Sequence, residues 1–341
     1  MHTVTEQGIE VTTADESTLD KWDDYAERSP HGTAFHQLAA LDVLADHTDT
    51  TVHTLVGFKG QEPVGIFPVF EKQLGPFSAA FSPPPDLWVF YLGPALLNVS
   101  KLKQRKAEKR HRRFVAGALR WIDQAIDPQY SLFKLHPNYE DPRPYEWEDF
   151  EVTPRYSYEI DVSLDTDELL KSFSRSARKN IEAGQESDLV VGEGHQGNIW
   201  DIIEQVSDRY EEQDKSFTVE PEFVSDLHDA LPDGQIRPYV VTEDGEYRSG
   251  MITVEFGDRI DRWQGGVKPY DMDVPVNDML DWHIMQEAQE RERTVYDLNG
   301  ANVENLCEYK AKFGPDVVIH HSLQRATTSA DLLSQLYLKL R

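Results

Sequence analysis

The residues that could do chemistry fall into three groups along the 341-residue chain. Lys171, Arg175, Arg178 and Lys179 lie on one flank of a helix expected from about 167 to 185, opposite Leu169, Phe173, Ala177 and Ile181. Only Glu182 accompanies them. Such a flank either grips a phosphate or carboxylate, to which Arg offers a bidentate fork, or is a solvated face whose ion pairs contribute little. The second group is KLKQRKAEKRHRR (101–113), eight Lys and Arg against one acid, Glu108. It opens a helix expected over 103–126, where cations oppose the helix dipole. An anionic partner (RNA, a polyprenyl-phosphate carrier or a membrane surface) would offset that cost. A face turned to bulk salt reads the same way, and no aromatic for base stacking interleaves with the charges.

The third group ends two neighbouring strands. Tyr296 and Asp297 close the strand TVYDL (294–298), and Asn299 and Gly300 turn the chain after it. An acceptor there could orient an amine or take its proton; Asp before Asn-Gly equally bonds its own turn amides. Trp263, Gln264, Gly265 and Gly266 close the preceding strand. Adjacent glycines either admit a ligand close to the backbone or make a bulge, and Trp263 serves as core or as site wall. Other constellations fail. His320 and His321 are sequential on a strand and face opposite ways, so they cannot share a metal. The single cysteine, Cys307, excludes an internal disulfide framework and a cysteine-rich metal site. No metal is expected.

The elements that must position these residues repeat. LVGFKGQEPVGIFPV (55–69) aligns without a gap with VVTEDGEYRSGMITV (240–254), each a strand, a glycine turn and a strand. An aromatic-rich strand, a helix (103–126 or 277–291) and a short strand (131–135 or 294–298) follow each hairpin, and helices precede it. The order β-α-α-β-β-β-α-β therefore occurs twice, which predicts domains at 1–150 and 151–325. An amphipathic helix over 326–341 closes the chain. The fold class expected is α+β, each half a mixed sheet flanked by helices, and gene duplication accounts for the repeat.

The formal net charge of −27, 61 acids against 34 bases, is spread along the chain with the apolar residues. That excludes a disordered acidic tail and points to adaptation to high salt, a composition resembling that of haloarchaeal proteins. At molar salt the Debye length is roughly 3 Å, so self-repulsion fades. The N-terminus lacks the basic and apolar regions of a signal peptide, and no apolar run is long enough to span a bilayer. A cytoplasmic protein without a transmembrane segment is expected; the oligomeric state stays open.

Three segments carry a family resemblance: SFSRSARKNIEAGQESDLVV (172–191), the stretch from DRWQGGVKP to QERE (261–292), and TVYDLNGANVENLCEYKAKFG (294–314). The last resembles the Fem-type pattern of a strand ending in Tyr-Asp, a glycine turn, a short helix and Phe-Lys-x-x-Phe-Gly, here Tyr309, Lys310, Ala311, Lys312, Phe313 and Gly314. The chain thus resembles tandem GNAT-fold acyltransferases, the Fem-type peptidyltransferases and the acyltransferases associated with polysaccharide synthesis. The resemblance implies two tandem GNAT-like domains that transfer an acyl group to an amine or hydroxyl, from acyl-coenzyme A or from aminoacyl-tRNA. It gives Lys310 the role of stabilising charge on the attacked carbonyl and adds Phe313 to the substrate-binding residues. GGVKPYDMDVPVNDM (265–279) departs from the usual pyrophosphate loop of coenzyme A binders, leaving tRNA as a possible partner and DNA as none. The acceptor implied is an envelope or polysaccharide precursor. Two alternatives stand beside it: a non-catalytic binding protein, and a small-molecule acetyl-CoA-dependent N-acetyltransferase.

Overall fold

The computed structural model describes residues 2–270 and 272–327, and the helix expected over 326–341 lies outside them except at its first two positions. The described residues divide into two compact units, one comprising 2–155 with 319–327, the other lying within Tyr156–Val318.

In unit 1, β1 (Thr3–Glu6) and β2 (Ile9–Thr13) are followed by α1 (Glu16–Leu19), α2 (Trp22–Arg28) and α3 (Leu38–Thr48). Then come the hairpin β3 (Thr51–Lys59) and β4 (Glu62–Leu74), β5 (Phe77–Ser82), β6 (Ala95–Leu96), α4 (Gln104–Ala125), β7 (Tyr130–Lys134) and α5 (Arg143–Glu146). The strand order is β1-β2-β3-β4-β5-β7, antiparallel except for the parallel pair β5–β7. α4 lays Phe114, Ala118 and Ile122 on the sheet, as its 3.6-residue period predicts. Phe114 fits only because Gly57 and Gly65 have no side chain: a Cβ at either would come within 2.7 Å of the ring.

Unit 2 opens with β8 (Glu151–Asp161), which begins in unit 1, then α6 (Thr166–Ser172), α7 (Arg175–Gln185) and β9 (Val190–Glu193). α8 (Gly197–Glu211) and α9 (Pro221–Ala230) precede the hairpin β10 (Ile236–Glu243) and β11 (Glu246–Phe256). β12 (Arg259–Gly265), α10 (Val276–Glu290), β13 (Val295–Asp297) and α11 (Glu304–Ala311) complete it. The order is β9-β10-β11-β12-β13-β8, with β12–β13 the one parallel pair along it. The final strand, β14 (Asp316–Ala326), returns to unit 1, where Ser322–Ala326 pair antiparallel with β7.

Two expectations are corrected. The single helix over 167–185 is two, because Phe173 and Ser174 take extended backbone and Ser174 caps α7 by accepting from the Ala177 amide. The gapless alignment of the hairpins slips by one residue. Lys59 pairs with Glu62 across Gly60-Gln61, whereas Glu243 pairs with Glu246 across Asp244-Gly245. The turn glycine therefore comes first in one loop and second in the other, and a one-residue slip turns every side chain to the opposite face. Gly65 accordingly faces Phe114 of α4, while Gly250 faces Ile202 of α8.

Candidate functional site

β12 and β13 pair only over Arg259–Asp261 and Val295–Asp297, then part. β12 runs on to Gly265, bulged at Trp263, and β13 gives way to a turn in which Asn299 and Gly300 have φ of 51° and 75°. Ligands of open α/β sheets gather at carboxyl ends of this kind. The residues brought together there come from β12, β13, α10 and α11.

Lys310, on α11, points inward and is 6% exposed. Its Nζ donates to the Asn299 carbonyl and, at 2.9 Å, to the Gly300 carbonyl. Burial and the nearby Arg262 cation lower its pKa to about 8. Tyr296 is fully buried and donates its hydroxyl to Asp281 at 2.7 Å; burial, with that carboxylate beside it, holds the phenol well above its usual range. Tyr309 donates to the other Asp281 oxygen at 2.6 Å, and Arg262 Nε stands 3.6 Å from the same carboxylate.

Asp297 is saturated from three sides. It accepts from Ser157 Oγ at 2.6 Å, from the Asn299 amide at 2.7 Å and from Arg259. Arg259 also binds Glu159 and Asp261, each at 2.6 Å. One guanidinium thus ties β8, β12 and β13 together. Burial raises Asp261 to about 6 against the pull of Arg259.

Phe313 is core, edge-on to Phe173 and Tyr309. Trp263 lies against Phe223, also edge-on. Gly265 (φ 107°) passes so close to β11 that a Cβ would sit 2.4 Å from the Gly250 carbonyl; at Gly266 (φ 76°) it would meet the Arg262 guanidinium at 2.3 Å. The basic flank of α7 divides. Arg175, Arg178 and Lys179 are all exposed, but Arg178 is tied down, donating to the Phe173 carbonyl at 2.5 Å at the end of α6.

Three buried polar atoms near the end of β12 have no hydrogen-bond partner among the described residues: Gln264 Nε2, Asn277 Oδ1 and Asn299 Oδ1. The amide nitrogens of Asn277 and Asn299 are fixed on the Gly266 and Arg262 carbonyls, which leaves each oxygen as the unpartnered end of its amide. Buried groups of this kind call for a partner. The start of α10 offers an anion little. The Val276 and Asp278 amides already bond the Val274 and Pro275 carbonyls, and Asp278 puts a carboxylate in the first turn, paired with Lys312 at 2.7 Å. Among the described residues no three His, Cys, Asp or Glu side chains gather as a metal site, and no helix is long and apolar enough to cross a membrane.

Arg259, Arg262 and Asp281 escaped the reading of the sequence. Asp281 did leave a signal: it stands on one helical stripe with Ile284, Met285 and Ala288, all buried. An acid on an apolar stripe is an acid with partners.

Residues 169–311 match the family model of the acetyltransferase (GNAT) domain. Among solved structures, FemX superposes with a TM-score of 0.73 at 13% identity, covering 96% of this chain and 99% of that one. The C-terminal domain of a putative lysylphosphatidylglycerol synthetase from Agrobacterium fabrum gives 0.58 at 12% identity, with 93% and 94% covered. A tandem GNAT protein from the clavulanic acid biosynthesis pathway gives 0.52 at 11%, with 93% and 98% covered. No curated sequence matches the chain. At these identities the structural likeness is one of fold: two tandem GNAT-like domains, Fem-like in arrangement, the second carrying the GNAT family match.

Proposed function

We propose that the protein is an acyl- or aminoacyltransferase whose second unit carries out the transfer, at the parted ends of β12 and β13. The observation that carries this reading is the buried Lys310 ammonium at that parting, held on the turn whose Asn299 side chain keeps an unpartnered oxygen. The acceptor amine attacks the acyl carbonyl directly, the ester or thioester bond to the carrier breaks, and the carrier departs as its alcohol or thiol, taking up the proton the amine loses; no activated nucleophile calls for a covalent intermediate. Lys310 stabilises the oxyanion, its charge strengthened by a water-poor setting. Asp297 and Tyr296, both held by hydrogen bonds, position the turn and strand that present Lys310. Asn299 and Gln264 orient the amine, Gly265 and Gly266 seat the end of β12 against β11 and the Arg262 guanidinium, and Arg175 and Lys179 hold a phosphate of the donor. Phe313 and Trp263 hold the wall in place.

The occupied first turn of α10 favours an aminoacyl-tRNA donor over acyl-coenzyme A. An amine-bearing envelope or polysaccharide precursor is the acceptor class proposed, in a cytoplasm rich in salt. A second reading, a binding protein that transfers nothing, draws on the internal saturation of Asp297 and Tyr296. Thermal shift in molar KCl with acetyl-coenzyme A, and separately with aminoacyl-tRNA, divides these. Stabilisation by the charged tRNA, with transfer lost in Lys310→Met, is the result expected. Stabilisation by acetyl-coenzyme A would reverse the donor assignment, and silence towards both would favour the binding protein.

A further inference from the structure

Unit 1 holds a second cationic site that the transfer chemistry does not use. On α4, Arg105, Lys109, Arg112, Ala116 and Arg120 follow one another at three- and four-residue steps, forming a single stripe on the face away from Phe114 and Ala118. At 1.5 Å rise per residue the stripe runs about 22 Å. Arg105, Lys109 and Arg112 are exposed and make no ion pair among the described residues. For three cations in a chain of net charge −27, that is a notable omission.

The sequence alone shows no aromatic residue within the basic run, but the fold supplies one. Trp147, from the segment after α5, is 57% exposed and borders a hollow of about 210 Å³ with Arg112, Arg113, Ala116 and Arg120. Arg143, paired with Asp141 and Glu108, lies 5.9 Å from the indole centroid. Two acids also line the hollow. Glu6 is taken by Arg120 at 2.8 Å and Glu148 remains, while Arg113 donates to Gln7 at 3.2 Å.

We propose that this face binds single-stranded nucleic acid, phosphates running along the α4 stripe and a base stacked on Trp147. Backbone-tracking cations next to an exposed aromatic are the two components of strand binding without sequence preference. A bilayer fits less well. Its interfacial helices present several large apolar residues, and here the hollow is concave and arginine-lined with one exposed aromatic.

The test uses the full chain and a fluorescein-labelled 12-residue oligouridylate, followed by anisotropy from 0.3 to 1 M KCl. Three phosphate contacts, from Arg105, Lys109 and Arg112, predict a slope of log affinity on log salt of about −2, falling to about −0.7 in Arg105→Gln/Arg112→Gln. Trp147→Leu should weaken binding about 10-fold at every salt concentration, because stacking is not screened. Both variants alter exposed side chains, and an unchanged melting temperature checks that they fold. No binding by the wild type overturns the proposal, as does binding that neither variant weakens. Binding to phosphatidylglycerol vesicles without binding to the oligonucleotide overturns it in favour of a membrane surface.

Discussion

Lys310 is a cation held where a cation is costly, and the role proposed for it predicts a pH dependence. Its pKa is lowered to about 8, first by burial and then by Arg262. The protonated form is the one that can stabilise an oxyanion, so transfer should fall as pH rises through about 8, well below the limb near 10.5 that an exposed lysine would give. A pH–rate profile checks this; a falling limb near 10.5 would place the working cation elsewhere. Stability moves the other way. Between about 8 and 10.5 the unfolded chain binds the proton that the folded chain has lost, so this group's contribution rises with pH in that window, relative to Lys310→Met. The sequence pattern pointed to Lys310, Asp297 and Tyr296 as a set, and the fold does bring them to one place. It could not show that Asp297 is consumed by Arg259, because that partner lies 38 residues away and the pairing exists only once β12 and β13 lie side by side.

At the scale of elements, the site depends on how α11 is seated. The turn after it ends at Gly314, with φ 65°, and a Cβ there would lie 2.7 Å from the Ser172 carbonyl at the end of α6. The Ser174 amide donates to the Lys312 carbonyl at 2.8 Å, so the break between α6 and α7 is the socket for this turn. Periodicity made 167–185 look like one helix because Leu169, Phe173, Ala177 and Ile181 keep the helical stripe across the break. Two bonds mark the break: the local cap of Ser174 on the Ala177 amide, and the tertiary bond to Lys312, which no local pattern records. Gly314→Ala should therefore cost more than backbone conformation alone. About 1–3 kcal/mol for the left-handed strain is to be increased by the clash, and transfer should drop with it. Gly257→Ala is the control: its φ of 60° is similar, and no atom lies within 4 Å of the added Cβ. Urea unfolding of the two variants at one salt concentration checks the difference. Equal losses would mean that the Gly314 turn is not seated against α6.

For the whole molecule, the tandem plan was legible because each unit repeats the same succession of hairpin, strand, helix and strand. Two things were not: the one-residue slip between the hairpins, which turn chemistry decides, and the return of β14 to pair with β7. The partner of a strand is a fact of three dimensions, and an alternating sequence fits either unit equally. The charge was legible outright, and it makes a prediction separate from any site. A net charge of −27 repels itself in dilute buffer. Exposed pairs such as Arg28–Asp24 offset little of that, while half-buried ones such as Arg259 with Glu159 and Asp261 are less screened and should keep more of their strength in salt. Melting temperature should therefore climb steeply as KCl rises from 0.1 M and flatten near 1 M, where the Debye length has fallen to roughly 3 Å and little repulsion is left to screen. Chloride and sulfate at equal ionic strength should act alike over that range. If the climb continues unabated beyond 1 M, or if sulfate far exceeds chloride below it, then salt acts by strengthening apolar burial. The acid excess would then not be what makes this chain depend on salt.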